Sequence, residues 1–432
     1  MILANVLQGL SGTLNGIFIG QMLGTQALAS VSGMFPVVFF FVSLIIGLGG
    51  GASVLIGQAW GAREPEKVRR VAAASLTLGA LIGLLAAVVG AVAAEPALRA
   101  LGTPADVLHE AVIYARMMMW FMPLLLVFIL ATQLLRGVGD TLSPLLALLV
   151  STGLGLVLTP ALIAGWAGLP QLGIRAAAVA TLLSTAGSLG FLFWRLRRRG
   201  HVLAPNRQWL PLLRLDGAIL AKVLRIGLPT GVQMVVLSMS ELIILSLVNA
   251  HGSSATAAYG AVTQVVNYVQ FPALSIAITA SILAAQSIGA GQLQRLPQIL
   301  RTGLWLVLAL VGGLVLLGYA LSHAFLGLFL TQPEVLAQAE QLLHLMLWSL
   351  LVFGLQAVLG GIMRASGDVW WPMAISVGCI LGVQLPVAWW LDRLWGQPGI
   401  WSAFVVTYLA MLVLQTAYFV GVWRHRRIRR LI

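Results

Sequence analysis

Charge and cysteine are both scarce in this chain. Of its 432 residues only 9% are charged, 12 of them acidic, and the single cysteine is Cys379. One thiol excludes an intrachain disulfide and any cysteine-based metal site. The six histidines give no metal-like grouping; His109, His323 and His344 fall toward one surface, apart from one another in sequence. No serine, histidine and aspartate arrangement suggests catalysis, so an enzyme is not expected, and neither is a bound metal or organic cofactor. A basic leader with a small-residue cleavage site is also missing, so the first apolar stretch is expected to stay in the mature protein. What fills the chain instead is apolar. Hydrophobic residues make up 60% and the mean hydropathy is +0.99, far above an ordinary soluble domain.

Long apolar runs decide the fold class. Spanning a bilayer takes about 20 mostly apolar residues per helix, and the runs here are continuous instead of alternating in the short pieces of a membrane barrel. Twelve are predicted, at about 1–23, 33–60, 71–94, 111–135, 142–166, 174–195, 223–250, 258–288, 300–322, 338–363, 370–391 and 398–423. The chain therefore reads as an all-α integral membrane protein. Its 47 glycines suit close helix packing, and GLGGGAS at 47–53 marks either a packing surface or a soft point in the second run.

The chain is duplicated. ASVLIGQAWGA at 52–62 returns 228 residues later as ASILAAQSIGA, with Gln58 matched by Gln286. LRGVGDTLSP at 135–144 returns at the same offset as MRASGDVWWP, pairing Arg136 and Asp140 with Arg364 and Asp368. LGIRAAAVAT at 172–181 matches PGIWSAFVVT at an offset of 226. Two equivalent halves in a membrane protein point to a path between them that opens to either side. The expected division is an amino-terminal six-helix bundle over 1–195, a basic linker at 196–222, a carboxy-terminal bundle over 223–423 and a basic tail at 424–432. Subtracting the repeat length from Pro229 lands on Met1, so the segment LDGAILAKVLRIGL at 215–228 has no counterpart before the first run.

The net charge of +13 is distributed by topology. When the connections between runs are assigned alternately to two sides, all but four of the 25 basic residues fall on one side, the exceptions being Arg99, Arg116, Arg175 and Arg393. The basic side is expected to be cytoplasmic, with both termini on it, in a multi-pass protein of the cell (inner) membrane. No aromatic platform interleaves the basic clusters, so nucleic acid is not an expected partner.

The repeated motifs have physical readings of their own. Arg136 and Arg364 sit at cytoplasmic helix ends, where a guanidinium meets the helix dipole and anionic headgroups. Asp140 and Asp368 follow in short turns closed by Pro144 and Pro372, where capping the next helix is the expected role. Gln58 and Gln286 lie at matching helix ends, suited to backbone pairing. Inside the membrane one carboxylate stands out, Glu241 in VVLSMSELIILSLV, with Ser238 and Ser240 beside it as possible hydrogen-bond partners. A carboxyl group at that depth is either a protonated link between helices or a proton-coupled functional site.

GIFIG at 16–20, LGTQALA at 23–29, GQAWGA at 57–62, RGVGD at 136–140 and LGIRAAAVAT at 172–181 together resemble the multidrug and toxic compound extrusion (MATE) transporters along the length of the chain. The resemblance implies a V-shaped pair of pseudo-symmetric six-helix bundles that exports organic cations or amphipathic drugs in exchange for protons or sodium ions. A monomer in the lipid bilayer is expected. At the first-run position where the family commonly carries aspartate, this chain has Asn15, and Gly155 and Thr159 stand where the fifth helix often carries Asn and Asp. Coupling through Glu241, with a proton favoured over sodium, follows from that departure. The family's central cavity is faced by the seventh, eighth and tenth helices, which offers Tyr259, Gln264, Asn267, Tyr268, Gln270, Phe271, Trp348, Phe353 and Gln356 as substrate contacts beside Asn15. A related alternative is a lipid-linked precursor flippase, which calls for basic residues lining the cavity; a membrane enzyme or non-transporting sensor calls for clustered polar residues at one face. Neither pattern is present.

Overall fold

A computed structural model describes residues 1–4, 6, 7, 9, 18, 21–23, 35–100, 105–166, 171–205, 216–330 and 332–432. Among these, every regular element is helical. Eleven helices are long and apolar enough to cross a bilayer: Val38–Gly61, Pro65–Pro96, Leu108–Gly137, Leu142–Ala164, Arg175–Arg198, Gly217–Asn249, Ser253–Gly289, Leu293–Ala320, Pro333–Ala365, Trp370–Trp395 and Gln397–His425. The remaining predicted run, 1–23, lies mostly outside the described residues, and Asn15 with it. Prolines occur within several spans, including Pro123, Pro160, Pro229 and Pro272, because neighbouring helices can satisfy the backbone groups a proline frees.

The chain divides into two compact units, the first chiefly Leu3–Trp60 and Glu64–Gly231, the second chiefly Val232–Ile432. The division falls inside the unbroken helix Gly217–Asn249, two residues past Pro229. Residues 217–222, read from sequence as linker, are thus the first turns of that helix. Their apolar positions continue the helical pattern past Lys222 and Arg225.

In the first unit the glycine-rich stretch serves packing. The helix Phe35–Gly61 runs through residues 47–53 without interruption, so the soft point does not appear. Gly47 and Gly51 meet Gly227 and Gly231, two four-residue glycine pairs facing each other: a Cβ on Gly51 would lie 2.6 Å from the backbone nitrogen of Gly227, and one on Gly227 would lie 2.6 Å from the Cα of Leu48. Lipid tails give helices no hydrophobic drive to associate, so backbone-to-backbone packing of this kind supplies much of the attraction. Gly83 makes a similar approach to Pro123 between the next two helices.

The second unit packs Ser253–Gly289 against Ser349–Ala365, with Gln397–Gly421 alongside. Two spans are interrupted by a π-helical turn, Val307–Val311 and Ile380–Gln384, a distortion often found beside functional sites. The span Pro333–Ala365 begins five residues before the predicted run 338–363, because Pro333 sits in the first turn and Glu334 complements the helix dipole there.

Candidate cation and substrate site

Glu241 lies eight residues before the end of Gly217–Asn249, about 12 Å along the axis at 1.5 Å per residue. Its side chain keeps accessible surface, and among the described residues it makes no hydrogen bond or ion pair. Ser238 and Ser240 do not hold it; the Ser240 hydroxyl is buried and without a partner among the described residues. Ser240, one position away, faces off the carboxyl's side of the helix, and Ser238, three positions away, shares that side without bonding to it.

Two tyrosines stand within electrostatic reach of Glu241: Tyr259 on Ser253–Gly289 and Tyr408 on Gln397–Gly421. Thr263 stands beside the Tyr259 side chain, and Gln270 beside that of Tyr408. The spacing explains the arrangement, because 259, 263 and 270 fall on one helical face. Around these groups runs an aromatic cluster. The Tyr259 ring lies 5.2 Å from Trp401, Trp401 lies 6.1 Å from Phe404, Phe404 lies 6.4 Å from Tyr408, and Phe353 lies 5.3 Å from Tyr408. A lone carboxyl beside aromatic faces attracts a cation when ionised and does not when protonated.

Of the sequence candidates, Tyr259 joins Glu241, and Gln270 and Phe353 enter through Tyr408. Tyr268 and Phe271 form an edge-on pair of their own at 6.3 Å, Trp348 is exposed and Gln356 is buried. Gln264 and Asn267 are half-buried. None of these six is placed against Glu241 by a contact. Trp401, Phe404 and Tyr408 were not singled out from sequence, although their spacing of three and four residues is a helical stripe.

A second carboxylate, Glu340, also falls within a predicted run, two residues from the start of 338–363. In the structure Glu340 lies seven residues inside the span Pro333–Ala365. It is fully engaged: the Ser322 hydroxyl donates to its Oε1 at 2.5 Å, and His323 Nδ1 stands 3.6 Å from its Oε2. His344 Nε2 is 3.0 Å from the same Ser322 oxygen. Glu241 is distinguished by lacking such partners.

A family model described as MatE matches residues 1–161 and 229–390. The starts of the two segments are 228 residues apart, the spacing of the internal repeat. The chain belongs to the MATE family. It is similar to "Probable multidrug resistance protein YoeA" of Bacillus subtilis, with 41% identity over all of this chain and 94% of that protein. It is also similar to "Multidrug export protein MepA" of Staphylococcus aureus, 23% identical over 95% of this chain and 90% of the relative, and to an "FAD transporter" of Shewanella oneidensis, 29% identical over 74% and 70%. Among solved structures, a MATE transporter of Vibrio cholerae, VcmN, matches with a TM-score of 0.88 at 20% identity over 98% of this chain and 95% of its own.

The repeated motifs of this MATE chain diverge in use. Asp140 caps the following helix: its Oδ1 accepts the backbone N–H groups of Leu142 at 3.1 Å and Ser143 at 3.0 Å, and its Oδ2 accepts the Ser143 hydroxyl at 2.6 Å. Asp140→Ala is expected to destabilise the fold by about 1 kcal/mol, the usual worth of an N-cap, read as a lower thermal midpoint in detergent. Asp368 departs from the capping expectation. Its Oδ2 instead accepts the Tyr418 hydroxyl at 2.6 Å and an N–H of Arg426 at 3.3 Å, because the last helix and the tail reach it. Arg136 does not meet headgroups; it is only 7% exposed and its Nη1 donates to Gln133 at 3.4 Å, where the helix end packs on Ser53 and Ile56. Arg364 is half-buried over Gly360. Gln58 is buried, Gln286 half-buried, and each has a partner.

Proposed function

We propose that this protein is a secondary active exporter that antiports amphipathic organic cations or drugs against protons, with Glu241 carrying the coupling proton. The observation that supports this most is a carboxyl without a partner among the described residues, beside Tyr259, Tyr408 and the Trp401 cluster. Proton and cationic substrate compete for such a group, and that exclusion is the chemical requirement of antiport. Asn15, Gly155 and Thr159 supply no second carboxylate, so a sodium site would rest on Glu241 alone. The names of the B. subtilis and S. aureus relatives support the drug-like substrate class. The test uses proteoliposomes with proton and sodium gradients imposed separately. Cationic dye is expected to move uphill on the proton gradient only; equal transport on sodium alone replaces the proposed ion.

The orientation proposed with it places both termini in the cytoplasm of a bacterial cell. Cys379 is buried, so an added cysteine reports cleanly. Leu328→Cys in intact cells is expected to react with an impermeant thiol reagent and Arg199→Cys only after permeabilisation. The reverse pattern inverts the topology.

A further inference from the structure

The ten residues after Val422 do not hang free. Trp423 is 6% exposed, and its Nε1 donates to the Ser366 hydroxyl at 2.9 Å. Arg426 stands 3.3 Å from Asp368 and 5.8 Å from the centre of the Tyr418 ring. Leu431 fills the space beside Gly367, where a Cβ would come within 2.7 Å of its methyl, and Arg430 reaches Gly291. The tail is therefore laid across two loops of its own unit, 290–292 and 366–368, by an aromatic, a charged and an aliphatic anchor in turn.

With those anchors placed, Arg424, Arg427 and Arg429 are left exposed and have no ion pair among the described residues. Their depth is marked by neighbouring tryptophans. Trp370 and Trp371 are 54% and 51% exposed at the start of a span, and Trp371 stacks on Tyr418 at 5.5 Å. Tryptophans at span ends sit at the headgroup level. Tyr418 in turn contacts Arg426, which brings the arginine row to the same level.

We infer that residues 423–432 form a preset cationic strap that binds the anionic headgroups of the leaflet it faces, through Arg424, Arg427 and Arg429. A guanidinium pairs two N–H groups with phosphate oxygens. Three of them on a fixed segment lose less freedom on binding than a disordered polybasic end. The flanking tryptophans favour a lipid surface over free phosphate, which has no use for a membrane-depth marker.

Native mass spectrometry of the full-length protein, titrated with phosphatidylglycerol or phosphatidylcholine in one detergent, tests this. Wild type is expected to bind its first phosphatidylglycerol at least about fivefold more tightly than phosphatidylcholine, the effect of a single basic residue near an anionic surface. The Arg424→Gln, Arg427→Gln, Arg429→Gln triple variant is expected to bind the two lipids about equally. Lysine at the same three positions is expected to keep the preference, which separates charge from packing. An unchanged preference in the glutamine variant, or its loss in the lysine variant, overturns the proposal. So does abolition of the wild-type preference by an equal concentration of inorganic phosphate, which would make the site one for free phosphate.

Discussion

Glu241→Gln is expected to reduce proton-driven export to the passive leak while leaving the protein folded and inserted. The amide keeps the shape of the side chain, and a neutral amide is no harder to bury than a protonated acid. What disappears is the titration. Tyr259 and Tyr408 remain in place because they pack on Trp401 and on Phe353 and Phe404, so the aromatic cluster still offers its faces to a cation. Substrate binding is expected to weaken, since the site no longer becomes negative when the proton leaves, and downhill exchange of substrate is expected to continue. If purified variant protein moves dye uphill on a proton gradient at near wild-type rate, coupling lies elsewhere. Glu241 would then return to the role of a protonated link between helices.

The second large effect is expected at Gly51. A leucine there drives a side chain into the backbone of Gly227 and Ile226, at 2.6 and 3.1 Å from the new Cβ. Neither helix can yield by turning a side chain, because the obstructing atoms are main chain. Overpacking in a well-packed core costs about 1–3 kcal/mol, and a main-chain obstruction belongs at the upper end. Gly50→Leu provides the control, one residue away on a face where a Cβ meets nothing within 4 Å. Thermal unfolding and size-exclusion profiles in detergent are expected to show Gly51→Leu much destabilised and Gly50→Leu near wild type. Equal behaviour of the two variants removes the close glycine contact as a source of stability.

These residues also show which parts of the molecule could be read in advance. The membrane spans and the family follow from local properties, run length and repeated motifs, and a bilayer leaves the chain few alternatives to a helix. Glu340 lies near the start of the predicted run 338–363, and its partners Ser322 and His323 belong to the preceding segment, a pairing that run length does not contain. Tyr408 was missed because its approach to Glu241 joins positions 167 residues apart, a relation that periodicity along one helix does not contain. Arg136 illustrates the opposite error. Its place at a helix end was legible, but Ser53 and Ile56 cover that end, and burial depends on the neighbour. Asn15 lies outside the described residues and stays an expectation.

The two aspartates of the duplicated motif carry a practical consequence for anyone handling the protein. Asp140 caps its own helix and stands 3.8 Å from His201 Nε2, whereas Asp368 holds the segment after Val422 through Tyr418 and Arg426. An affinity tag or fluorescent fusion placed directly after Ile432 therefore extends a segment already folded against the body, one residue beyond the leucine seated on Gly367. Activity measured on such a fusion reports a protein whose last anchor is under load, and a cleavable spacer is the appropriate control.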